Sequence, residues 1–103
     1  MPDKVLVLDA SERASLAIIR SLGKHGVKVI AAECFSHAIG FFSTYCSGRV
    51  IYTSPKRDKS IFIRDILRLV KHENYSAIFP VTEYTILPLL EVYDELSEYT
   101  VPI

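Results

Sequence analysis

Lys4-Val5-Leu6-Val7-Leu8-Asp9-Ala10-Ser11-Glu12-Arg13 opens the segment on which the fold turns; a helical stretch to about Lys24, then His25-Gly26 and Val27-Lys28-Val29-Ile30-Ala31-Ala32, complete it. Lys4 to Leu8 is a continuous β-rich apolar run, the pattern of a strand covered on both faces. Asp9 to Arg13 is a polar turn. In the stretch that follows, Ala14, Ala17, Ile18 and Leu22 fall on one helical face, and Arg20 and Lys24 sit near its end, where cations suit the helix dipole. Gly26 is placed as a left-handed cap. The hydrophobic period thus passes from strand to helix and back to strand within thirty residues. That is a βαβ unit, and it implies a right-handed parallel crossover.

Outward from this unit the same alternation continues. Glu33 to Ser47 is irregular, with room for one short helical turn. Arg49 to Tyr52 reads as a third strand ended by Ser54-Pro55, and Lys56 to Lys59 as a solvated, charged connection. Ser60 to His72 carries an apolar stripe of Phe62, Ile63, Ile66, Leu67 and Val70, with Arg64, Asp65, Arg68 and Lys71 on the wet side. Ala77 to Val81 is a fourth strand limited by Pro80, and Thr82 to Thr85 a loop. A last helix is predicted from Thr85, with Pro88 in its first turn, to Glu95 or Leu96. The expectation is a single α/β domain over 1–103, a Rossmann-like, doubly wound sheet of about four parallel strands with helices on both faces. Val101-Pro102-Ile103 reads as an extended apolar stub, cut in mid-structure.

Composition narrows the function. The chain has 103 residues, 12 basic and 12 acidic, so it lacks the basic field that holds a polyphosphate, and no nucleic-acid partner is expected. No apolar run approaches the roughly 20 residues of a membrane span, and Met1-Pro2-Asp3-Lys4 with its short apolar run does not make a signal peptide. Cys34 and Cys46 are read as free thiols in a reducing, cytoplasmic setting. His25, His37 and His72 are scattered, so no metal site is expected.

Open parallel sheets collect ligands at the carboxyl ends of their strands. Three segments lie there: Asp9 to Arg13, Glu33 to His37, and Thr82 to Tyr84. The first opens a helix, whose N–H groups and Arg13 favour an anion; equally, Ser11 or Asp9 only caps that helix. Its lack of glycine speaks against a dinucleotide, although Glu33 sits where such folds place the ribose-binding acid. Strand three supplies no phospho-accepting aspartate. Glu83 follows an apolar strand between Thr82 and Tyr84 and is either a substrate-side acid or a partner of the next helix's N–H groups. Phe35, Phe41, Phe42 and Tyr45 are read as core beneath the long loop, and Cys34 as a small buried filler.

The runs Val5 to Ala14, Ala17 to Gly23 and Gly26 to Val29, with Tyr45-Cys46-Ser47, Val50, Ser54-Pro55 and Ile78-Phe79-Pro80-Val81-Thr82-Glu83, together resemble the amino-terminal (pre-ATP-grasp) domain of ATP-grasp ligases. That group contains carbamoyl-phosphate synthase large chain, biotin carboxylase and many carboxylate–amine ligases. The resemblance implies that ATP and magnesium are gripped by later domains absent from this chain, and that a carboxylate is activated as an acyl phosphate for attack by an amine. It implies that this domain binds neither cofactor nor metal, and that alone it is inactive. It further implies that Ser11, Glu12 and Arg13 from strand one, Glu33 from strand two, and Thr82 and Glu83 from strand four line the substrate wall. Partners would be the ATP-grasp domains of the same parent chain and a small carboxylate or amine, with a homodimer through an exposed interface also open. Asp-Ala-Ser-Glu replaces the glycine-rich turn of better-known members, which argues against a phosphate contact there. Two other readings stand beside it: a free-standing Rossmann-type small-molecule or nucleotide-binding module, and a protein-docking domain, which predicts a contiguous apolar surface patch.

Overall fold

The computed structural model describes residues 4–103; the Met1-Pro2-Asp3 lead-in weighed as a leader lies outside them. The elements are β1 (Lys4–Val7), α1 (Arg13–Lys24), β2 (Lys28–Glu33), a 3-10 turn (Ile39–Phe42), β3 (Cys46–Ile51), α2 (Lys59–His72), β4 (Ala77–Phe79), α3 (Glu83–Leu90), α4 (Tyr93–Ser97) and β5 (Val101–Pro102). The five strands form one sheet in the order β3-β2-β1-β4-β5, every pair parallel. The α/β class and the parallel sheet match the sequence reading; the strand count does not. Val101 and Pro102 are a fifth strand rather than a stub, held to β4 by Val101 N–H on Ser76 and Ile103 N–H on Ile78.

Alternation along β1 builds the two cores. Leu6 and Leu8 face Phe62, Ile66 and Val70 of α2, with Ile78, Leu89 and Leu96, while Val5 and Val7 face Ile19 of α1 with Val29, Ala31 and Phe41. A strand so covered has no polar face to spare, and β1 is accordingly hydrocarbon on both sides. The inward stripe of α1 is Ser15, Ile18, Ile19 and Leu22, spaced i, i+3, i+4, i+7; Ala14 and Ala17 are exposed, contrary to the sequence reading. Ser15 tolerates full burial because its hydroxyl donates to the Leu8 carbonyl at 2.9 Å. For α2 the expected stripe holds, and Asp58 caps it by accepting from Ile61 N–H at 3.0 Å.

Three further expectations are corrected. The last helix begins at Glu83, not Thr85, so Pro88 lies in its interior, and the chain breaks into a separate α4 after Leu90. The first turn is set by donors and acceptors at residues 82–86 and not by proline (Ile86 N–H on the Thr82 carbonyl, 2.8 Å). Phe42 is exposed rather than core, as is Tyr45 at its margin; only Phe41 of that cluster is buried. Gly26 does take the left-handed backbone predicted for it, at φ 83°.

Candidate functional site

The strand order reverses between β1, from which the chain winds towards β2, and β4, which it reaches only after crossing back through α2. Such a switch point leaves a crevice at the carboxyl edge. Here it holds a cleft of about 310 Å³, lined by Asp9, Ser11 and Glu12 after β1, Glu33, Cys34 and Phe35 from β2, Tyr52, Ser54, Pro55 and Lys56 after β3, and Thr82 and Tyr84 after β4.

Asp9 organises the floor. It takes a left-handed backbone, φ 55°, a conformation aspartate accepts more readily than most residues. The turn turns its side chain across the sheet rather than towards α1. One carboxylate oxygen accepts from Val81 N–H (3.0 Å), Thr82 N–H (2.8 Å) and the Thr85 hydroxyl (2.6 Å). The other accepts from the Tyr52 hydroxyl at 3.4 Å, which in turn accepts from Asp9 N–H at 3.3 Å. Asp9 therefore holds the turn between β4 and α3 from the end of the adjacent strand β1, bonding the backbone just before the helix and the Thr85 hydroxyl within it; Thr82, the residue that precedes the helix, makes no side-chain cap. Burial and then the nearby Asp9 and Glu33 carboxylates push the Tyr52 phenol far above its ordinary range, so it is a fixed donor.

Glu33 closes the second side. It is 5% exposed, and one oxygen accepts from both Ser11 N–H (3.1 Å) and the Ser11 hydroxyl (2.6 Å), the other from Cys34 N–H (2.9 Å). These bonds pin the β1–α1 turn to the end of β2. They also consume the Ser11 hydroxyl, so Ser11 does not cap α1; the residue at that position, Glu12, makes no side-chain cap either. Burial, followed by the neighbouring Glu33 charge, pushes the Cys34 thiol up and leaves it a poor nucleophile. Both cysteines are free.

Of the six residues singled out in the sequence, the structure brings Ser11, Glu12, Glu33 and Thr82 to one cleft. Arg13 and Glu83 are exposed and outside its lining. Lys56, read as part of a solvated turn, is exposed as expected and also belongs to the mouth. Its ammonium lies 4.1 Å from the centre of the Tyr84 ring, joining the β3–α2 connection to the first turn of α3. No sequence signal placed Lys56 there, because Tyr84 lies 28 positions away; its occurrence just after Ser54-Pro55, at a strand's carboxyl end, was the available hint. Among the described residues no three His, Cys, Asp or Glu side chains are grouped to hold a metal ion, and no helix is long and apolar enough to cross a membrane.

No family model matches this chain, and neither does any curated protein sequence. Solved structures do. Glycinamide-RNase-transformylase T from Mycobacterium tuberculosis is similar over 96% of this chain, with 22% identity and a TM-score of 0.70, yet this chain spans only 25% of it. BdcA (YjgI) from E. coli is similar over 95% of this chain at 16% identity and a TM-score of 0.60, with 58% of that protein covered. At these identities the likeness is one of fold.

Proposed function

We propose that this chain is the amino-terminal, substrate-side domain of an ATP-dependent carboxylate–amine ligase of the ATP-grasp, carbamoyl-phosphate-synthase-like kind, acting through an acyl phosphate. The observation that carries the reading is the match to glycinamide-RNase-transformylase T, an ATP-grasp enzyme, over nearly the whole of this chain and only a quarter of that one. A domain with this architecture is there one part of a larger ATP-grasp-family enzyme. The sequence motifs at the ends of β1, β3 and β4 support the same assignment.

The cleft is furnished as a wall rather than as a nucleotide grip. Its turn after β1 has no glycine to admit a pyrophosphate, its lining carries three carboxylates, and Lys56 is its one cation. These residues do not fit ATP with magnesium, which on this reading are held by other domains of the parent protein, together with the small carboxylate or amine to be joined. Ser11 and Glu33 hold the wall in shape. Glu12 and Thr82 face the space where a substrate would lie, while Arg13 and Glu83 stand outside it. Cytoplasmic chemistry and inactivity of this chain alone belong to the same proposal.

The test is equilibrium binding of ATP, with and without magnesium, to the 103-residue chain. No saturable binding is expected at about 1 mM nucleotide, a ceiling that corresponds to roughly 4 kcal/mol of affinity. Tight magnesium-dependent binding would overturn the assignment. Magnesium-independent nucleotide binding would instead make it a free-standing Rossmann-type module.

A further inference from the structure

The outward face of α3 does not match those of the other helices. On α1 and α2 the solvent side carries Arg20, Arg64, Arg68 and Lys71. On α3 both sides are apolar: Thr85, Pro88 and Leu89 pack inward, while Leu87 and Leu90, each 57% exposed, point out. A helix that is apolar all round is built to be covered on both sides. The exposed surface continues past Leu90 to Tyr93 and Ile103, which meet Pro80, Ile86 and Pro102 around a hollow of about 100 Å³.

Charge selects what can cover it. From Glu83 to Ile103 the chain carries Glu83, Glu91, Asp94, Glu95 and Glu98 and no lysine or arginine, although the whole chain is neutral. Lys59 neutralises Glu91 at 2.9 Å and Lys71 neutralises Glu95 at 3.1 Å. Glu83, Asp94 and Glu98 have no ion-pair partner among the described residues. Glu83 lies one helical turn before Leu87, and Asp94 lines one surface hollow together with Leu90 and Tyr93. The apolar face therefore has an acidic rim. A second copy laid on it would set acid against acid, and an anionic membrane would do the same.

We propose that this face of α3, α4 and β5 docks a partner protein that presents apolar side chains within a basic rim. The inference is independent of the ligase reading, since it uses no residue of the cleft wall.

The experiment is fluorescence anisotropy with two synthetic amphipathic peptides of identical leucine face, one edged with lysine and its twin with glutamate. The lysine peptide is expected to bind the chain at least about tenfold more tightly than the twin and to weaken as salt is raised. The Leu87→Ser/Leu90→Ser double variant should lose this binding with its thermal unfolding little changed. The Glu83→Lys/Asp94→Lys variant, which keeps the apolar face, should reverse the preference. Equal affinity for the two peptides, or no binding of either, overturns the proposal. So does a dimer in sedimentation velocity that the leucine variant abolishes, since that assigns the face to a second copy.

Discussion

A single oxygen of Asp9 gathers three donors from residues 72 to 76 positions further along the chain. Charge-assisted bonds to backbone N–H groups are among the stronger polar contacts, and this one is buried. Asp9→Asn keeps the tolerance for a left-handed backbone and removes only charge and acceptor capacity. It is expected to cost about 2 kcal/mol in urea unfolding, whereas Glu83→Gln, on the exposed first turn of α3, costs about 0.5 kcal/mol or less. The reverse ranking would make Glu83, and not Asp9, the acid that holds the start of α3. In the sequence, Asp9 offered itself as a cap for α1, four residues away, and Glu83 as the notable acid at the end of β4. Local spacing favours near partners, and nothing in one sequence reveals that a φ of 55° turns Asp9 towards α3. Glu33 was legible as an acid at the rim. That its oxygens are taken by Ser11 and Cys34 was not, because Ser11 lies 22 positions away and its hydroxyl had a plausible local use.

At the scale of elements, legibility follows period and length. α2 keeps a clean 3.6 rhythm for fourteen residues and was located to within one residue. β5 is two residues long, below the length at which alternation means anything, and exists only because the open edge of β4 offers the Ser76 and Ile78 carbonyls to the Val101 and Ile103 N–H groups. α3 and α4 were merged because EYTILPLL and YDELS carry no glycine between them. Two glycines separate kinds of constraint that the sequence does not distinguish. Gly40 sits where an added Cβ would lie 2.7 Å from the Ala10 carbonyl oxygen, a backbone atom held by Gly40 N–H itself at 2.9 Å. Gly26 faces open space and is constrained only by its φ of 83°. Gly40→Ala is therefore expected to cost about 2 kcal/mol or more by forcing the 3-10 turn off the β1–α1 turn, and Gly26→Ala about 1 kcal/mol. Parallel urea melts of the two variants check the order.

For the molecule as a whole, the buried phenols set an alkaline limit. Tyr52 and Tyr75 are both raised above the ordinary value of 10, mainly by burial. Above pH 10 the unfolded chain releases these protons while the folded chain keeps them, so the unfolded state binds fewer protons and stability falls as pH rises. The contribution is complete below pH 10 and is lost progressively above it. Urea unfolding at pH 9 and pH 11 should show the drop, and Tyr52→Phe should flatten it; an unchanged slope would mean that Tyr52 reaches solvent. The overall neutrality seen in the sequence conceals an uneven distribution, with the acidic excess of the last twenty-one residues balanced by bases on the preceding elements. Composition reports the sum and not the arrangement.

The order β3-β2-β1-β4-β5 also has a consequence for how the chain is made. β1 leaves the ribosome before the other four strands yet occupies the centre, with one flank filled by β2 soon afterwards and the other by β4, some seventy residues later. Until Ala77–Phe79 emerge, the Val5–Val7 edge and the Asp9 carboxylate have no partners on that side. A nascent chain with an unpaired apolar strand is prone to mispair. The cleft is then completed in one late event, when residues 81–85 arrive and close on a charge placed some seventy residues earlier.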